Sequence, residues 1–493
     1  MAVFIGDNMK LQSETKVGNL DKLSRSRSVS YLGASLSLSA LICSAVALSP
    51  AQATTLLDPE PADSTTLFGR AIAAIGDVNG DGVTDLAVGA PYQDGDFTNV
   101  DAGFGPPQNV GKVWIINGAN LKVITKLNDP QFQQVQELKF GGEFGTSLAA
   151  AGDVNGDGIP DVLVGTPNHT TGPGETPPFN IGRAFVMDGR SDTVLLTLIP
   201  PGPEENARAG TSVAGLGDIN SDGKPDFVIG APGKNIGFGE GGKPNVGVAY
   251  FFSGADGSLI RSLSDPDMTP DARFGFAVAN AGDVDGDGVS DSLLGAPGKA
   301  QVFVFSGKTG FLLFTIKSPS REKLKSFGYA VAGGKDFDAD GKPDFVVGAP
   351  LLQNSQGGVF VFKGSNGKLL RTLSIPSPQT FARVGASVAA IDDVTGDGRA
   401  DIMVGVPDQD VGGRINAGQT LIYNGASGAL FETLNSETPQ AFAGFGFALA
   451  AADFDGDGTP TPIVGVPFQN ADLIDPEDGD LTTHLQIGQI EIQ

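Results

Sequence analysis

The sequence is poor in the residue types on which many enzymes, disulfide-stabilised domains and nucleic-acid-binding proteins depend. Its 493 residues include one Cys, two His and one Trp, and 32 Lys and Arg stand against 57 Asp and Glu. A single Cys excludes a disulfide framework within the chain. The formal charge of −25 opposes binding to a phosphate backbone, which needs clusters of Lys and Arg. We therefore expect no nucleic-acid partner.

Glycine is abundant instead, with 71 residues, and 40% of the chain is hydrophobic. The 31 Phe residues and the many aliphatic ones are too numerous for a disordered chain of this charge. The glycines do not follow the three-residue period that collagen requires. The chain is thus expected to fold around a core with many turns.

Residues 1–53 are interpreted as a secretory signal peptide. An apolar, Ser-rich run at 31–49 follows three basic residues, and small residues at 51–53 supply a cleavage site. A transmembrane anchor is the alternative, because the run is barely long enough to span a bilayer. Since Cys43 lies inside this run, a mature chain from Thr54 would contain no Cys. The expected location is secreted, periplasmic or at the cell surface, with no membrane insertion after cleavage.

One pattern recurs seven times from residue 68 onward. Each copy has an alternating apolar stretch, an Asp/Gly-rich loop and a β-branched run that ends in Gly-x-Pro, then further apolar runs around a Gly-centred turn. Such runs, bounded by Gly and Pro, predict a meander of four antiparallel strands per copy. The first Asp of the seven loops, at intervals of 53 to 76 residues, is Asp77, Asp153, Asp218, Asp283, Asp336, Asp393 and Asp453.

Four strands per copy with no helix between them predict an all-β, seven-bladed β-propeller over residues 54–493. A stack or an array of separate domains is the alternative, but only a closed ring lets each sheet cover its neighbours. The seventh copy stops one strand short at Gln493, and residues 54–57 align with the fourth strands of other copies. We therefore predict that the mature N-terminal strand completes blade seven and fastens the ring.

The loop after the first strand of each copy predicts a calcium site. Copies one to five read D-x-[DN]-x-D-G-x-x-D, so side chains at positions 1, 3, 5 and 9 and the carbonyl at position 7 can surround one cation. Calcium takes about six to eight oxygen ligands. Thr395 replaces the position 3 ligand in copy six and Thr461 the position 9 ligand in copy seven, which predicts five strong sites and two weaker or empty ones. The candidate ligands are Asp77, Asn79, Asp81, Val83 and Asp85; Asp153, Asn155, Asp157, Ile159 and Asp161; Asp218, Asn220, Asp222, Lys224 and Asp226; Asp283, Asp285, Asp287, Val289 and Asp291; Asp336, Asp338, Asp340, Lys342 and Asp344; Asp393, Asp397, Arg399 and Asp401; and Asp453, Asp455, Asp457 and Thr459.

Two other interpretations of these loops fit less well. Asp-Gly pairs also make tight hairpin turns, but a turn needs one Asp rather than three or four. An EF-hand needs flanking helices and a Glu at position 12, where copy one has Val88 and every other copy has Val, Leu or Ile. The loops are therefore interpreted as metal loops between strands.

With its Phe-Gly pair, metal loop and Gly-Ala-Pro end, the repeat resembles the FG-GAP repeat of integrin α-subunit propellers over residues 54–493. The pairs that match are Phe68-Gly69, Phe144-Gly145, Phe274-Gly275, Phe327-Gly328 and Phe445-Gly446. Ala209 and Val384 replace the Phe in copies three and six. The resemblance implies a calcium-binding extracellular propeller used for adhesion or recognition.

The longest segments between second and third strands are those of copies seven, one, two and three, which are neighbours on a ring. Antiparallel strands reverse direction, so these segments lie on the face opposite the metal loops. Their aromatic side chains stand among acidic ones and could stack on sugars or bind a protein, although tolerated surface insertions are the alternative. We expect a monomer whose partner is an extracellular protein or glycan. The candidate partner-binding residues are Tyr92, Phe97, Phe179, Phe238 and Phe468.

The sequence offers little for catalysis. It has two His and neither a His-Glu-x-x-His nor a Gly-x-Ser-x-Gly motif. We expect no enzyme and no catalytic residues. An extracellular hydrolase acting on polysaccharide or phosphoester is the alternative, because paired carboxylates could meet in the long loops.

Overall fold

The computed structural model describes residues 54–60, 65–94, 109–130, 141–170, 179–237, 242–320, 326–377, 379–474, 481–484 and 488–493. The segment 1–53, interpreted above as a signal peptide, lies outside them. The described part is almost entirely β-structure, with one short helical segment, α1 (Leu352–Ser355). Within it no helix has the length and apolar character needed to cross a membrane.

Each copy of the repeat forms one four-stranded antiparallel sheet, which we call a blade and number by its copy. In chain order the strands are β1 (Thr54–Leu57); β2 (Ala71–Gly76), β3 (Asp85–Ala90), β4 (Lys112–Ile116) and β5 (Val123–Asn128) of blade 1; β6 (Ser147–Gly152), β7 (Asp161–Thr166), β8 (Arg183–Met187) and β9 (Val194–Leu198) of blade 2; β10 (Ser212–Gly217), β11 (Asp226–Ala231), β12 (Val248–Phe252) and β13 (Leu259–Ser264) of blade 3; β14 (Val278–Gly282), β15 (Asp291–Ala296), β16 (Gln301–Phe305) and β17 (Leu312–Lys317) of blade 4; β18 (Ala330–Lys335), β19 (Asp344–Gly348), β20 (Val359–Phe362) and β21 (Leu369–Thr372) of blade 5; β22 (Ser387–Ile391), β23 (Asp401–Val406), β24 (Gln419–Tyr423) and β25 (Leu430–Leu434) of blade 6; and β26 (Ala448–Ala452), β27 (Thr461–Val466), β28 (Ala471–Ile474), β29 (Leu481–His484) and β30 (Gln489–Ile492) after it. In blades 1 to 6 the sheet order follows the chain order.

Blade 7 is assembled from both ends of the repeat region. Its sheet order is β26-β27-β30-β1, and β28 and β29 form a separate two-stranded hairpin between its second and third strands. Strand β1 pairs antiparallel with β30, with Thr54 opposite Ile492 and Leu57 opposite Gln489. That this strand fastens the ring stays a prediction.

Seven apolar clusters of the described residues each join two neighbouring blades. One contains residues of blades 3 and 4, and in it Phe274 packs against Phe303 and Phe305. Another joins blade 7 back to blade 1 and contains Phe68 and Ile463. Each sheet therefore covers the next around a closed circle, and the prediction of an all-β, seven-bladed propeller with four-stranded blades is confirmed.

Burial changes from the ring axis outward. First strands of neighbouring blades contact one another and are half-buried, as in β2. Second strands are completely buried in blades 1 to 6, as in β3, whereas fourth strands consist mainly of half-buried and exposed residues, as in β13, and β25 is largely exposed. The first strands thus surround the central channel, and the fourth strands form the outer rim.

The Gly that stands twelve residues after the first Asp of each loop lies against the backbone of the next blade. A Cβ built on Gly230 would come closer than 3.0 Å to the carbonyl oxygen of Gly275 in blade 4. The same relation holds in every blade, and Gly465 of blade 7 meets the carbonyl of Gly69 in blade 1. The blades therefore pack through backbone contacts that leave no room for a side chain.

Candidate functional site

All seven metal loops share one conformation, which the position 1 carboxylate holds. In blade 1 the Asp77 carboxylate accepts the N–H groups of Gly80 at 2.6 Å and Gly82 at 2.7 Å. The position 4 and position 6 N–H groups bond in the same way to the first Asp of every other loop, for example to Asp453 of blade 7 at 2.8 and 2.9 Å. These donors lower the pKa of Asp453, with the N–H of Gly458 as the largest cause. In blade 7 these donors therefore favour the ionised form of the first carboxylate.

The position 5 carboxylate makes a second recurring bond. Its Oδ1 accepts the position 7 N–H, for example from Val83 to Asp81 at 3.0 Å and from Thr459 to Asp457 at 2.7 Å. In several blades its other oxygen accepts from the turn between third and fourth strands, as Asp222 does from the Ser253 hydroxyl at 2.8 Å. The side chains at positions 1 and 5 are exposed or half-buried, so their oxygens remain open to a cation.

The position 9 Asp of blades 1 to 6 is fully buried, unlike the other candidate ligands. In blade 4, Asp291 accepts the N–H of Val284 at 2.9 Å on one oxygen and that of Gly307 at 2.9 Å on the other. The corresponding bonds recur in the other five blades. This carboxylate therefore ties the metal loop to the turn between the third and fourth strands. Sequence reasoning identified it as a ligand but missed this structural role.

Burial also raises the pKa of the position 9 Asp in blades 1 to 5. It raises the pKa of Asp161 and of Asp344 to about 6. A cation beside such a carboxylate would favour its charged form. The residue is thus suited to a site that holds positive charge.

Blade 7 is the one blade that lacks the position 9 Asp, and its strand order gives the reason. Its third strand β30 and fourth strand β1 are not consecutive in the chain, so this blade has no third-to-fourth turn for a position 9 carboxylate to hold. Thr461 stands at that position. The sequence analysis interpreted Thr461 as a sign of a weaker metal site. The structure shows that this Thr also stands where no bond to a third-to-fourth turn can form.

Replacing Asp291 by Ala is expected to reduce the free energy of unfolding by about 3 kcal/mol even in a chelator, because two buried N–H groups lose their acceptor. Denaturant unfolding in EDTA measures this without any metal contribution. Thr461→Ala serves as the matched control and is expected to change stability by less than about 0.5 kcal/mol. Equal losses in the two variants would contradict the assigned role of the carboxylate.

Three loops bring three carboxylate oxygens within 4.8 Å of one another in the described part of the chain. They are those of Asp283, Asp285 and Asp291 in blade 4, Asp336, Asp338 and Asp344 in blade 5, and Asp453, Asp455 and Asp457 in blade 7. In blades 1 to 3 position 3 is Asn, whose side-chain oxygen is also a hard ligand. In blade 5, Lys363 forms an ion pair with Asp338. These donor sets fit a hard divalent cation such as calcium.

A glycine before the metal loop is a further feature that the sequence reasoning missed. Blades 1 to 5 have an irregular register just before the loop, with a positive-φ Gly such as Gly76 (φ 97°) or Gly282 (φ 72°). Blades 6 and 7 pair without this shift and have Asp392 and Ala452 before the first Asp. The irregular register, a β-bulge, therefore occurs before the same five loops that have the complete ligand pattern.

Three of the five candidate partner-binding residues lie among the described residues. Phe179 is 53% exposed, whereas Tyr92 and Phe468 are half-buried. The Phe468 ring packs edge-on against Phe447, with centroids 5.6 Å apart. Phe97 and Phe238 lie outside the described residues.

Exposed apolar side chains occur elsewhere on the face opposite the metal loops. Phe381 is 66% exposed, Ile415 56% and Phe442 59%. The N–H of Phe442 donates to the carbonyl of Ile415 at 2.8 Å, so the segment before blade 7 lies on the second-to-third-strand segment of blade 6. We name the face formed by these two kinds of segment the upper face.

The family model of the FG-GAP repeat matches residues 68–116, 144–177, 209–252 and 327–362, which lie in blades 1, 2, 3 and 5. Integrin alpha-PS2 of Drosophila melanogaster is 30% identical over 245 residues, covering 47% of this chain and 15% of that protein. Integrin alpha-5 of Xenopus laevis is 29% identical over 248 residues, covering 49% of this chain and 21% of that protein. The similarity thus spans a small part of each relative. A solved chain from the crystal structure of BBS1N in complex with ARL6DN aligns with a TM-score of 0.49 at 11% identity, covering 89% of this chain and 96% of that chain.

Proposed function

We propose that this chain, an FG-GAP repeat propeller similar to integrin α subunits, is an extracellular recognition or adhesion module. The observation that carries the proposal is the division of the ring into two faces. All seven metal loops join first and second strands and lie on one face. The described parts of the second-to-third-strand segments and the exposed side chains of Phe179, Phe381 and Phe442 lie on the other, the upper face, which is free to bind a partner.

Calcium is the proposed cofactor. The residues that would hold it are the side chains at positions 1, 3, 5 and 9 of each loop and the carbonyl at position 7, with complete sets in blades 1 to 5. When bound, calcium neutralises carboxylates that would otherwise repel one another. The proposal includes weaker or empty sites in the loops of blades 6 and 7, as the sequence predicts.

The proposed partner is an extracellular protein or glycan, bound by the upper face of blades 7, 1, 2 and 3 and its continuation toward blades 5 and 6. Phe179, Phe381 and Phe442 support this, because each exposes more than half of a large apolar ring. Exposed aromatic side chains are frequent anchors in protein interfaces. Secretion through the segment 1–53, a monomeric state and the absence of enzymatic activity are further parts of the proposal.

The test is binding of the purified protein, in calcium, to an array of extracellular-matrix proteins and glycans. Phe442→Ser and Phe381→Ser are expected to weaken binding of the ligand found by about tenfold or more, as loss of an interface anchor does. Replacing residues 95–108 of blade 1 or 475–480 of blade 7 with a short Gly-Ser linker should also reduce it.

Phe311→Ser is the matched control. Phe311 is 75% exposed, follows the third-to-fourth turn of blade 4 and is therefore distant from the upper face. Its replacement should leave binding unchanged. An array without any ligand, or a ligand lost equally in all three Phe variants, would contradict recognition through the upper face.

A further inference from the structure

The first strand of every blade is preceded by a tight turn at one end of the central channel. The N–H of the residue after each Phe-Gly pair, or its equivalent, donates to the carbonyl of the residue before that pair, at 3.0 to 3.2 Å. Because first strands surround the channel, these turns form a ring around its upper end. We define the channel mouth as their paired residues: Leu67 and Arg70, Glu143 and Thr146, Arg208 and Thr211, Arg273 and Phe276, Ser326 and Tyr329, Arg383 and Ala386, and Gly444 and Phe447.

The channel mouth is cationic in a strongly acidic protein. It contains four arginines and one acidic residue, Glu143, whereas the whole chain has a charge of −25. Arg383 is already paired, since its Nη2 donates to Asp408 at 2.8 Å. Arg208 and Arg273 are exposed. The other three guanidinium groups share one internal carboxylate, because Glu143 interacts with both Arg208 and Arg70, and a positive excess is left for an external anion.

Arg70 is the central member of this cluster. Its charge interacts with Tyr329 of blade 5, Glu143 of blade 2 and Arg383 of blade 6. A side chain of blade 1 can reach all of these blades only if it points toward the ring axis. Arg70 therefore lies where the blades converge.

The surroundings of Arg70 leave its charge poorly compensated. Its guanidinium lies over the Phe447 ring, with Cζ 4.1 Å from the centroid, and burial lowers the pKa of Arg70. Across the described residues no hydrogen bond or ion pair is made by this guanidinium. A partly buried guanidinium held on an aromatic face keeps its planar set of donors free for a bidentate acceptor.

The rest of the channel mouth favours a protein ligand. The Phe276 and Tyr329 rings pack together with centroids 4.8 Å apart, and Phe468 packs on Phe447. Farther out, Phe381 and Phe442 are exposed. Aromatic faces can stack on sugars as well as on protein side chains, but only an acidic side chain between apolar neighbours matches both these rings and the guanidinium groups beside them.

We propose that the channel mouth binds the carboxylate of an Asp or Glu side chain that a partner protein presents beside aromatic residues, with Arg70 and Arg208 as its main donors. This inference rests on the proposed recognition function and names the chemistry of the partner. Because the ligand is a single carboxylate, the small positive excess at the channel mouth is sufficient to hold it. The metal loops, on the opposite face, take no part.

The test uses the whole protein in calcium and a fluorescein-labelled, end-blocked Gly-Phe-Asp-Phe-Gly peptide, with binding followed by fluorescence anisotropy. The Asp peptide is expected to bind about tenfold more tightly than the same peptide with Asn, because a charge-assisted bidentate pair is lost. Its affinity should fall as NaCl is raised. Inorganic phosphate and a glucuronate disaccharide serve as competitors and should displace it only weakly.

Arg70→Gln and Arg208→Gln should each weaken binding of the Asp peptide by about threefold to tenfold or more, and Arg70→Lys should restore part of the loss. Lys308→Gln is the matched control. It removes one charge from an exposed lysine in the third-to-fourth turn of blade 4 and should change affinity by less than about twofold. Since Arg208 is exposed, Arg208→Gln tests the inference even if Arg70→Gln unfolds.

Equal binding of the Asp and Asn peptides would overturn the inference. So would the absence of any anisotropy change at millimolar protein, or an Arg208→Gln variant that keeps its full affinity for the Asp peptide. Stronger competition by glucuronate than by the unlabelled Asp peptide would assign the site to a glycan and would also overturn it. The recognition function can survive this failure. An array that yields no ligand would contradict the recognition function itself. An array ligand that binds Arg70→Gln and Arg208→Gln as tightly as the unaltered protein would contradict only the carboxylate site.

Discussion

Removal of calcium by EDTA is expected to lower the melting temperature of this protein by about ten degrees or more. Each site filled at about a hundred times its dissociation constant adds about 2.7 kcal/mol to the free energy of unfolding. Five complete loops therefore provide a large combined effect. In blade 4, for example, the oxygens of Asp283, Asp285 and Asp291 lie within 4.8 Å of one another and would repel strongly without a cation.

Thermal unfolding followed by circular dichroism in millimolar calcium, in EDTA and after calcium is restored measures this effect. Asp287→Ala should reduce the melting temperature much more in calcium than in EDTA, because it removes a proposed ligand and only one hydrogen bond, that from the N–H of Val289, and leaves the position 1 and position 9 bonds intact. Glu432→Gln, which removes an exposed carboxylate from strand β25, is the control for charge alone. A melting temperature that is the same in calcium and EDTA would defeat the metal proposal.

Gly230→Ala is expected to destabilise the protein by more than the roughly 1–3 kcal/mol typical of an overpacked core. The added Cβ would come closer than 3.0 Å to the carbonyl oxygen of Gly275 and to the Ser212 hydroxyl. A backbone carbonyl cannot rotate away as a side chain can, so blades 3 and 4 would have to separate. That movement would disturb the apolar cluster they share.

Gly217→Ala in the same blade separates steric cost from backbone strain. Gly217 has a φ of 70° and nothing within 4 Å of a built Cβ, so its replacement should cost only about 1 kcal/mol. Denaturant unfolding of both variants in calcium provides the comparison. If Gly230→Ala is no more harmful than Gly217→Ala, the backbone contact between blades does not limit the residue at this position.

The local elements of the fold could be predicted from each copy alone. Alternation of apolar residues located the first strands, and the Asp-Gly loops located the connection to the second. The apolar run that follows the Gly-centred turn of copy one is strand β5. Such features act between residues that are close in the chain, and therefore a single copy contains the information for them.

The role of the position 9 Asp could not be predicted in this way. Its spacing is that of a metal ligand, but its carboxylate in blade 4 also holds the N–H of Gly307, sixteen residues away. That bond exists only after the third and fourth strands have folded back beside the loop. The Thr461 exception has the same origin, because in blade 7 those two strands come from opposite ends of the repeat region.

By itself, the sequence determined the repeat number, the strand pattern and the resemblance to FG-GAP propellers, because these follow from short-range patterns within each copy and from their recurrence along the chain. Only the tertiary structure decided which residues of different copies contact one another. Closing the ring places the Gly230 backbone against Gly275 and brings Arg70 beside Tyr329 and Arg383. Gly230 and Gly275 belong to successive copies and Arg70 lies hundreds of positions from Tyr329 and Arg383, so no spacing within one copy encodes these meetings.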